Sequence, residues 1–513
     1  MNMKSLFSNG WWAATSRDEL RHHQDALLRR FLSDRAVPFT VYYGKLFKEL
    51  GIDAADIRGT DDLTKLPFTS KAQLENPRDF VIIPDEHALQ HQWSTVRLAL
   101  SHLPGATRKA LEEELRPILL TSTTGRSAAP VPFLYTKHDL ANLEESGRRL
   151  MEICRSDPSW RHINAFPFAP HLAFWLAHYA GIGFNTFMLS TGGGKSLGTE
   201  GNLRVIGKVD PEAIIAMPTF LYHLLQQAAA GNIRWTKLKR VVLGGEKVPA
   251  GMRRKLRALC AEIGSPDVAI MATYGFTEAK TAWTECLAPD GTEPAGFHIY
   301  PDMTFVEIID PETGQRVPDG HPGEIVCTPL DARGTVVLRY RTGDLVEGGI
   351  TYEPCPHCGR TCPRLLGKIS RVSEIRLMNI DKLKGTLVDF NALEHLLDDT
   401  DGLGAWQIEL RKRGDDPLET DEVVVHATPA DGCDPGSLRQ SISDRFSRTV
   451  EFRPNEILFH TWDEIRSLHG VGKELKERKL VDHRPSPEIP WPTSTSSPES
   501  APHSAGPDRT STR

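Results

Sequence analysis

Thr121, Ser122, Thr123, Thr124, Gly125 and Arg126 form one run between two apolar stretches, Pro117 to Leu120 and Val131 to Leu134, and their chemistry suits a phosphate. Four hydroxyls and their backbone amides can surround polyphosphate oxygens, Gly125 permits a positive φ, and Arg126 supplies opposing charge. A Ser/Thr/Gly cluster between strands is also the ordinary make-up of a turn, so the run gains meaning from its neighbours. Gly244, Gly245 and Glu246 follow the apolar run Val241 to Leu243, where paired glycines would let a flat heterocycle lie against bare backbone. Tyr274, Gly275, Phe276, Thr277 and Glu278 follow Ala269 to Ala272 and bring a stackable ring, a hydroxyl and a carboxylate able to hold Mg²⁺ against a phosphate. Arg341, Thr342, Gly343 and Asp344 close a strand expected over Val336 to Tyr340, and a carboxylate there can accept hydrogen bonds from two vicinal ribose hydroxyls. Singly, each carboxylate reads equally as a helix cap or a surface charge. Cys355 and Cys358 have the two-residue spacing that lets both thiolates reach one tetrahedral ion, with Cys362 following; a reduced pair on a hairpin is the plainer alternative.

These groups need elements to hold them. Lys137 to Cys154 places Leu140, Leu143, Leu150, Met151 and Cys154 on one helical face. Ala213 to Met217, Val241 to Leu243 and Ala269 to Ala272 are short apolar runs ending in turns, as buried parallel strands do, and ligands gather at the carboxyl ends of such strands. After Tyr300 the texture changes to β-hairpins, at Val306 to Ile309, Glu324 to Pro329 and Val336 to Tyr340, which suggests a barrel-like subdomain. Residues before about 110 alternate helical patterns with polar turns and carry no recognisable chemistry. The expected architecture is α/β: a large N-terminal domain of parallel and mixed sheets with the barrel-like subdomain over 1–368, a small α+β C-terminal domain over 369–484, and a disordered Pro/Ser/Thr-rich tail over 485–513.

At 513 residues, with 39% hydrophobic and 25% charged residues, the chain can bury several cores. A formal net charge of −6 argues against nucleic acid and anionic membrane as partners, so any polyanion must be met locally. No apolar run is long enough to span a bilayer and the N-terminus lacks a secretory core, which points to the cytoplasm. Eight cysteines are too few for a disulfide scaffold.

The hydroxyl-rich loop, GGE, YGFTE and RTGD, in this order, resemble the adenylate-forming superfamily of acyl-CoA synthetases and adenylation domains over roughly residues 30 to 484. Gly296, Phe297 and His298, the segment Val306 to Pro318, and Cys355 to Arg364 look like its phenylacetate-CoA ligase branch, whose members activate aryl or arylalkyl acids with ATP and then form a CoA thioester. The resemblance implies that Thr121 to Arg126 form the phosphate loop and that Gly245, Glu246, Tyr274 and Gly275 meet adenine. It gives Glu278 the magnesium, with Thr277 beside it, and gives Asp344 the ribose. Gly472 and Lys473, followed by Arg478, Leu480, Asp482 and Arg484, match the closing motif that carries the catalytic lysine, whose ammonium would stabilise charge on the α-phosphate. The helix bearing Phe174, Trp175 and His178 borders the acyl pocket in the family. Cys286 and His298 are implied as partners of Cys355 and Cys358 in a structural Zn²⁺ site, with His357 and Cys362 as substitutes.

Three positions depart from the family pattern. Ser122 stands where the phosphate loop usually has Gly, and Lys368 and Ser370 replace the ribose-contacting Arg and the hinge Asp. Lys cannot make a bidentate fork, and Arg364 and Arg371 are the neighbouring guanidiniums that could serve instead. Gly192, Gly193, Gly194 and Lys195 are another glycine-rich run, but they lack the spacing of a nucleotide loop and read as a surface loop. The implied activity is a two-step ligation: ATP and Mg²⁺ convert a small-molecule carboxylic acid to an acyl-adenylate, and coenzyme A takes the acyl group after a mobile C-terminal domain swings. A carrier-protein thiol or an amine is the alternative acceptor, a catalytically degenerate zinc-containing binding protein is the alternative class, and a homodimer is a possible assembly.

Overall fold

A computed structural model describes residues 10–83, 112–123, 130–289, 292–371, 375–380, 383–415, 420–450, 452–471 and 477–484. Thr124, Gly125, Arg126, Gly472, Lys473 and the proposed tail over 485–513 lie outside the described residues.

The N-terminal part is helical. Helix α1 (Arg17–Phe31) opens with a capping box between Ser16 and Glu19, and α2 (Val41–Leu50) is capped by Thr40 and closed by Gly51 in the left-handed region. Their apolar faces pack with Phe133, Tyr135 and Val336 to Leu338 in one core, so this part braces the loop that precedes the RTGD motif.

The first residues of the hydroxyl-rich run, Thr121 and Ser122, end β1 (Pro117–Ser122), which pairs antiparallel with β2 (Pro132–Thr136). Helix α3 (Lys137–Ile153) follows, started by a second capping box between Thr136 and Asp139. Then strand and helix alternate: β3 (Arg161–Asn164), α4 (Leu172–Gly183), β4 (Phe187–Ser190), α5 (Gly193–Val209), β5 (Ala213–Ala216), α6 (Pro218–Ala230), β6 (Arg240–Leu243), α7 (Ala250–Glu262) and β7 (Ala269–Phe276). These strands pair in parallel in the order β4, β3, β5, β6, β7. Antiparallel β8 (Thr281–Thr284) and β9 (Phe297–His298) extend the sheet. Gly192 and Gly193 are buried at the start of α5, with Gly192 as its left-handed N-cap, so this run is a helix entry and not a surface loop. A Cβ on Gly193 would come within 3.0 Å of Ala165 O, which explains the bare backbone there.

After β9 the hairpin texture resolves into β10 (Thr304–Ile309), β11 (Gly323–Pro329) and β12 (Tyr340–Val346). Two short strands, β13 (Ile350–Thr351) and β14 (Arg364–Leu365), join the large sheet beside β9, and β15 (Ile369–Arg371) pairs with β12. Strands β10, β11, β12 and β15 form an open four-stranded antiparallel sheet; among the described residues it does not close into a barrel. Val336 to Arg339 are buried irregular chain, and the strand begins at Tyr340, so RTGD lies inside β12 instead of ending a strand.

Beyond Arg371 come a hairpin of β16 (Ile375–Ile380) and β17 (Leu383–Asp389), helix α8 (Phe390–Asp398), and long antiparallel strands β18 (Leu403–Lys412) and β19 (Asp421–Pro429). Helix α9 (Pro435–Val450), β20 (Glu456–Phe459), α10 (Trp462–His469) and β21 (Leu480–Asp482) complete a small α+β unit with its own apolar core. No helix among the described residues is long and apolar enough to cross a membrane.

Candidate active site

The carboxyl ends of β5, β6 and β7 open onto a cavity of about 150 Å³. Its wall is mainly apolar, with Leu150, Phe166, Phe174, Ala177, Ile215, Met217 and Val242, and it ends at Gly244, Gly245, Gly275 and Thr277. Close packing dictates the glycines. A Cβ on Gly244 would sit 2.4 Å from Thr273 Oγ1, and one on Gly275 would sit 2.4 Å from Ala282 Cβ and 2.7 Å from Thr281 O. Gly245 has a φ of +82°, which L side chains rarely adopt. Strand β7 runs on past Ala272 through Tyr274, Gly275 and Phe276, because β8 supplies antiparallel partners beyond the end of the parallel strands.

Glu246 has a structural task at the start of α6. Helix α6 begins with Pro218 and its N-cap Met217 offers no side-chain acceptor, so the Glu246 carboxylate accepts from Thr219 N at 3.2 Å and Thr219 Oγ1 at 2.6 Å.

Glu278 and Asp344 converge on the far side. Tyr340 donates its hydroxyl hydrogen to Glu278 Oε1 at 2.7 Å. Burial pushes the Glu278 carboxyl above its ordinary value, only partly opposed by Tyr340. Asp344 receives the Tyr274 hydroxyl on Oδ2 at 2.8 Å and Arg371 Nε on Oδ1 at 2.9 Å. A bulge aims it there. Val326 pairs with Arg341 and Glu324 with Leu345, so Thr342, Gly343 and Asp344 together face the single residue Ile325. Thr342 Oγ1 donates to Ile325 O at 2.8 Å, Gly343 N donates to Glu324 Oε1 at 3.1 Å, and Gly343 takes a φ of +70°. Arg341 is spent on the same job, with Nε 3.0 Å from Glu324 Oε2.

Thr121, Ser122 and Thr123 close the hairpin beside these groups. Thr121 Oγ1 donates to Tyr135 OH at 3.2 Å, and Thr123 Oγ1 accepts from Val131 N at 3.0 Å. Ser122 ties the strand end to the cavity wall: its amide donates to Pro170 O, its carbonyl lies 2.9 Å from His171 Nδ1, and Thr277 Oγ1 lies 3.5 Å from the same carbonyl. Lys368 is exposed, while Arg364 is buried and donates to Glu353 O at 3.0 Å; the guanidinium beside Asp344 belongs to Arg371.

Of the three aromatic residues expected at the acyl pocket, only Phe174 lines the cavity. Trp175 and His178 lie off its lining, with their ring centroids 6.2 Å apart and Tyr179 beside them. Helical geometry accounts for the difference: Ala173, Phe174, Ala177 and Ala180 share the inward stripe, and Trp175 and His178 fall outside it. His171 and Tyr340 escaped sequence reasoning, and Arg371 stood there only as an alternative to Arg364. Only His171 carried a local signal, as a polar residue closing the Pro167 to Pro170 segment before α4.

Cys286, His298, Cys355 and Cys358 come together, with ligand atoms all within 4.8 Å of one another. Cys286 Sγ is 3.6 Å from Cys355 Sγ, and Cys358 Sγ is 3.2 Å from His298 Nε2. His298 Nδ1 faces Thr284 O at 3.2 Å, which fixes the ring with Nε2 toward the thiols, the orientation a metal-binding imidazole needs. The substitutes go elsewhere: His357 Nε2 meets Glu293 O at 3.0 Å, and burial pushes the Cys362 thiol up to about 12.

Known proteins resemble this chain in sequence and in fold. The family model described as AMP-binding enzyme matches residues 168–329. The chain is 27% identical over 375 residues to the phenylacetate-coenzyme A ligase of Thermus thermophilus, covering 71% of this chain and 74% of that protein. It is 25% identical over 412 residues to the phenylacetate-coenzyme A ligase of Escherichia coli (strain K12), covering 78% and 81%. Its fold is similar to that of a solved 2-hydroxyisobutyryl-CoA ligase in the postadenylation state, with a TM-score of 0.73, 18% identity and 92% of each chain covered. The chain thus carries a region matching the AMP-binding enzyme family and is similar in sequence to phenylacetate-CoA ligases of the adenylate-forming superfamily.

Proposed function

We propose that this protein joins an aryl or arylalkyl carboxylic acid to coenzyme A through an acyl-adenylate formed from ATP. One observation carries the reading: an apolar cavity runs directly into Gly245, Gly275 and Thr277, residues of the GGE and YGFTE motifs. An apolar cavity of about 150 Å³ accepts a benzene ring, and among the described residues its lining holds no Lys, Arg, Asp or Glu, with His171 turned to Ser122 O, so the acid's carboxylate is left at the polar mouth. There it attacks the α-phosphate. The bond from that phosphorus to the bridging oxygen of pyrophosphate breaks and pyrophosphate leaves, so the acyl carbon now carries AMP as a good leaving group, which the sulfur of coenzyme A displaces to give the thioester.

Each motif has a task in this scheme. Asp344 accepts the ribose hydroxyls, Gly245, Tyr274 and Gly275 border the adenine, and the loop from Thr121 to Arg126 holds the β and γ phosphates. Lys473 places positive charge at the α-phosphate. Glu278 fits a magnesium ligand, since its carboxylate is buried beside a neutral Tyr340 hydroxyl and a divalent cation would offset that burial. Magnesium would supply charge neutralisation of the phosphates. Cys286, His298, Cys355 and Cys358 fit a closed Zn²⁺ site, which would tie the chain after β8 to the chain before β14 without touching substrate. A cytoplasmic setting, with ATP, coenzyme A and reduced thiols, suits this scheme.

The test is product analysis with ATP, Mg²⁺ and a panel of aryl, arylacetyl and alkyl acids. Acid-dependent AMP together with an acyl-CoA thioester supports the reading. Acid-dependent AMP release only when hydroxylamine or an amine replaces coenzyme A would move the acceptor, and no acid-dependent AMP would refute activation altogether.

A further inference from the structure

The small C-terminal unit packs on α6 and α7, and one carboxylate lies at the centre of that contact. His223, on α6, places Nε2 2.9 Å from Glu477 Oε1. His469, the last residue of α10, places Nδ1 3.1 Å from Glu477 Oε2, and its Nε2 is 2.9 Å from Trp406 O. All three side chains are buried, at 9%, 2% and 10% exposure for His223, His469 and Glu477. Around them Trp462 packs against Tyr222 with ring centroids 6.3 Å apart, and Lys247 Nζ pairs with Glu394 Oε2 at 2.9 Å. The fit is close enough that a Cβ on Gly251 would lie 2.0 Å from Asp398 O.

Resting on the function proposed above, we propose that Glu477 is a positioning residue for acid activation: gripped by His223 from the large domain and His469 from its own, it registers the small domain against the nucleotide site. Three observations support this. The carboxylate takes a histidine from each side, so it joins the two units where a pair within one unit would not. Burial pushes the Glu477 carboxyl up, but the two histidines outweigh that and hold it well below the usual carboxylate range, so the clasp keeps a charged centre at neutral pH. Glu477 also lies only four residues after Lys473, and four residues of extended chain reach no more than roughly 14 Å. Anchoring Glu477 therefore limits where that ammonium can go, and small errors in placement are costly to rate.

The experiment uses the full chain carrying Glu477→Gln, His223→Gln or both. Acid-dependent ATP–pyrophosphate exchange is compared with thioester formation from supplied acyl-adenylate and coenzyme A. The expected result is about a tenfold or larger loss of exchange in each single variant, with the thioester step within about twofold of wild type. The double variant should be no worse than the poorer single, because both changes break one clasp. Equal loss in both half-reactions, or no loss of exchange, overturns the proposal. Amide hydrogen exchange of Pro218–Ala230 separates this from the reaction assignment: faster exchange in Glu477→Gln supports the clasp even if wild type activates no acid, and unchanged exchange overturns it even in an active enzyme.

Discussion

Tyr274 donates its hydroxyl hydrogen to Asp344 Oδ2 at 2.8 Å, joining the last parallel strand of the large sheet to the bulged strand of the neighbouring antiparallel sheet. Arg371 meets the other oxygen of the same carboxylate. If Asp344 receives the ribose, Asp344→Asn should raise the KM for ATP by roughly ten- to a hundredfold, the worth of a charge-assisted hydrogen bond, with a smaller effect on the KM for the acid. Tyr274→Phe keeps the charge and loses only its orientation, so its effect should be several-fold. Steady-state kinetics with each substrate varied in turn distinguishes the two.

The cavity wall predicts substrate size. Ala177 is buried on the inward stripe of α4, and Ala177→Phe would put a ring where the acid's aryl group is proposed to sit. The variant should lose about a hundredfold or more in kcat/KM for arylacetic acids while acetate and propionate lose little. Filling the void should leave the melting temperature of the ligand-free protein unchanged or raised. A uniform loss across all acids would argue against the cavity as the acyl pocket.

The thiol and imidazole cluster predicts a bound metal. Wild-type protein should carry about one zinc per chain, and Cys358→Ser should carry far less and melt at a lower temperature. Stripping wild type with a strong chelator should lower its melting temperature toward that of the variant. Metal analysis that finds no zinc in either form would refute the site.

Lys255 gives a pH dependence. Burial pulls its amine down from 10.5 to about 8, and Nζ donates to Leu403 O at 2.6 Å and Gly404 O at 3.2 Å. A lysine with a lowered folded value costs stability while both states are protonated, below about pH 8. That cost is relieved as the pH rises through 8 toward 10.5, because the folded protein gives up its proton first. Lys255→Met removes the cost along with two hydrogen bonds. Its stability relative to wild type should therefore be most favourable near pH 7 and fall by about 2 kcal/mol toward pH 10, allowing for partial solvent screening. Thermal melts of both proteins across this range provide the measurement.

Much of this site was legible because its strands are buried on both faces. Ala213 to Ala216 and Val241 to Leu243 read as unbroken apolar runs, and the glycines after them mark the carboxyl edge. The start of β12 was not legible, since it depends on a bulge held by Glu324 and on irregular chain packed against the N-terminal helices. Tyr340 was hidden for a similar reason, since its partner Glu278 lies far away in sequence and meets it only when two sheets pack, whereas Arg371 was one of two candidate guanidiniums until the pairing of β15 with β12 set it opposite Asp344. Trp175 was expected at the acyl pocket because the family resemblance places α4 there, but the angle around the helix decides, and Trp175 lies off the cavity lining. The cysteine pair was visible from its spacing, whereas Cys286 and His298 come from another part of the chain and needed either the fold or a family resemblance to find them.

The central claim is that this chain activates a carboxylic acid on ATP with Lys473 at the α-phosphate. ATP–pyrophosphate exchange tests it most directly, measured over aryl, arylacetyl and alkyl acids for wild type and Lys473→Ala. The account predicts acid-dependent exchange in wild type, strongest with aryl or arylalkyl acids, and a loss of roughly a hundredfold or more in the variant, which should still form thioester from supplied acyl-adenylate. Wild-type exchange that no acid stimulates, or a Lys473→Ala protein that exchanges as fast as wild type, would contradict it.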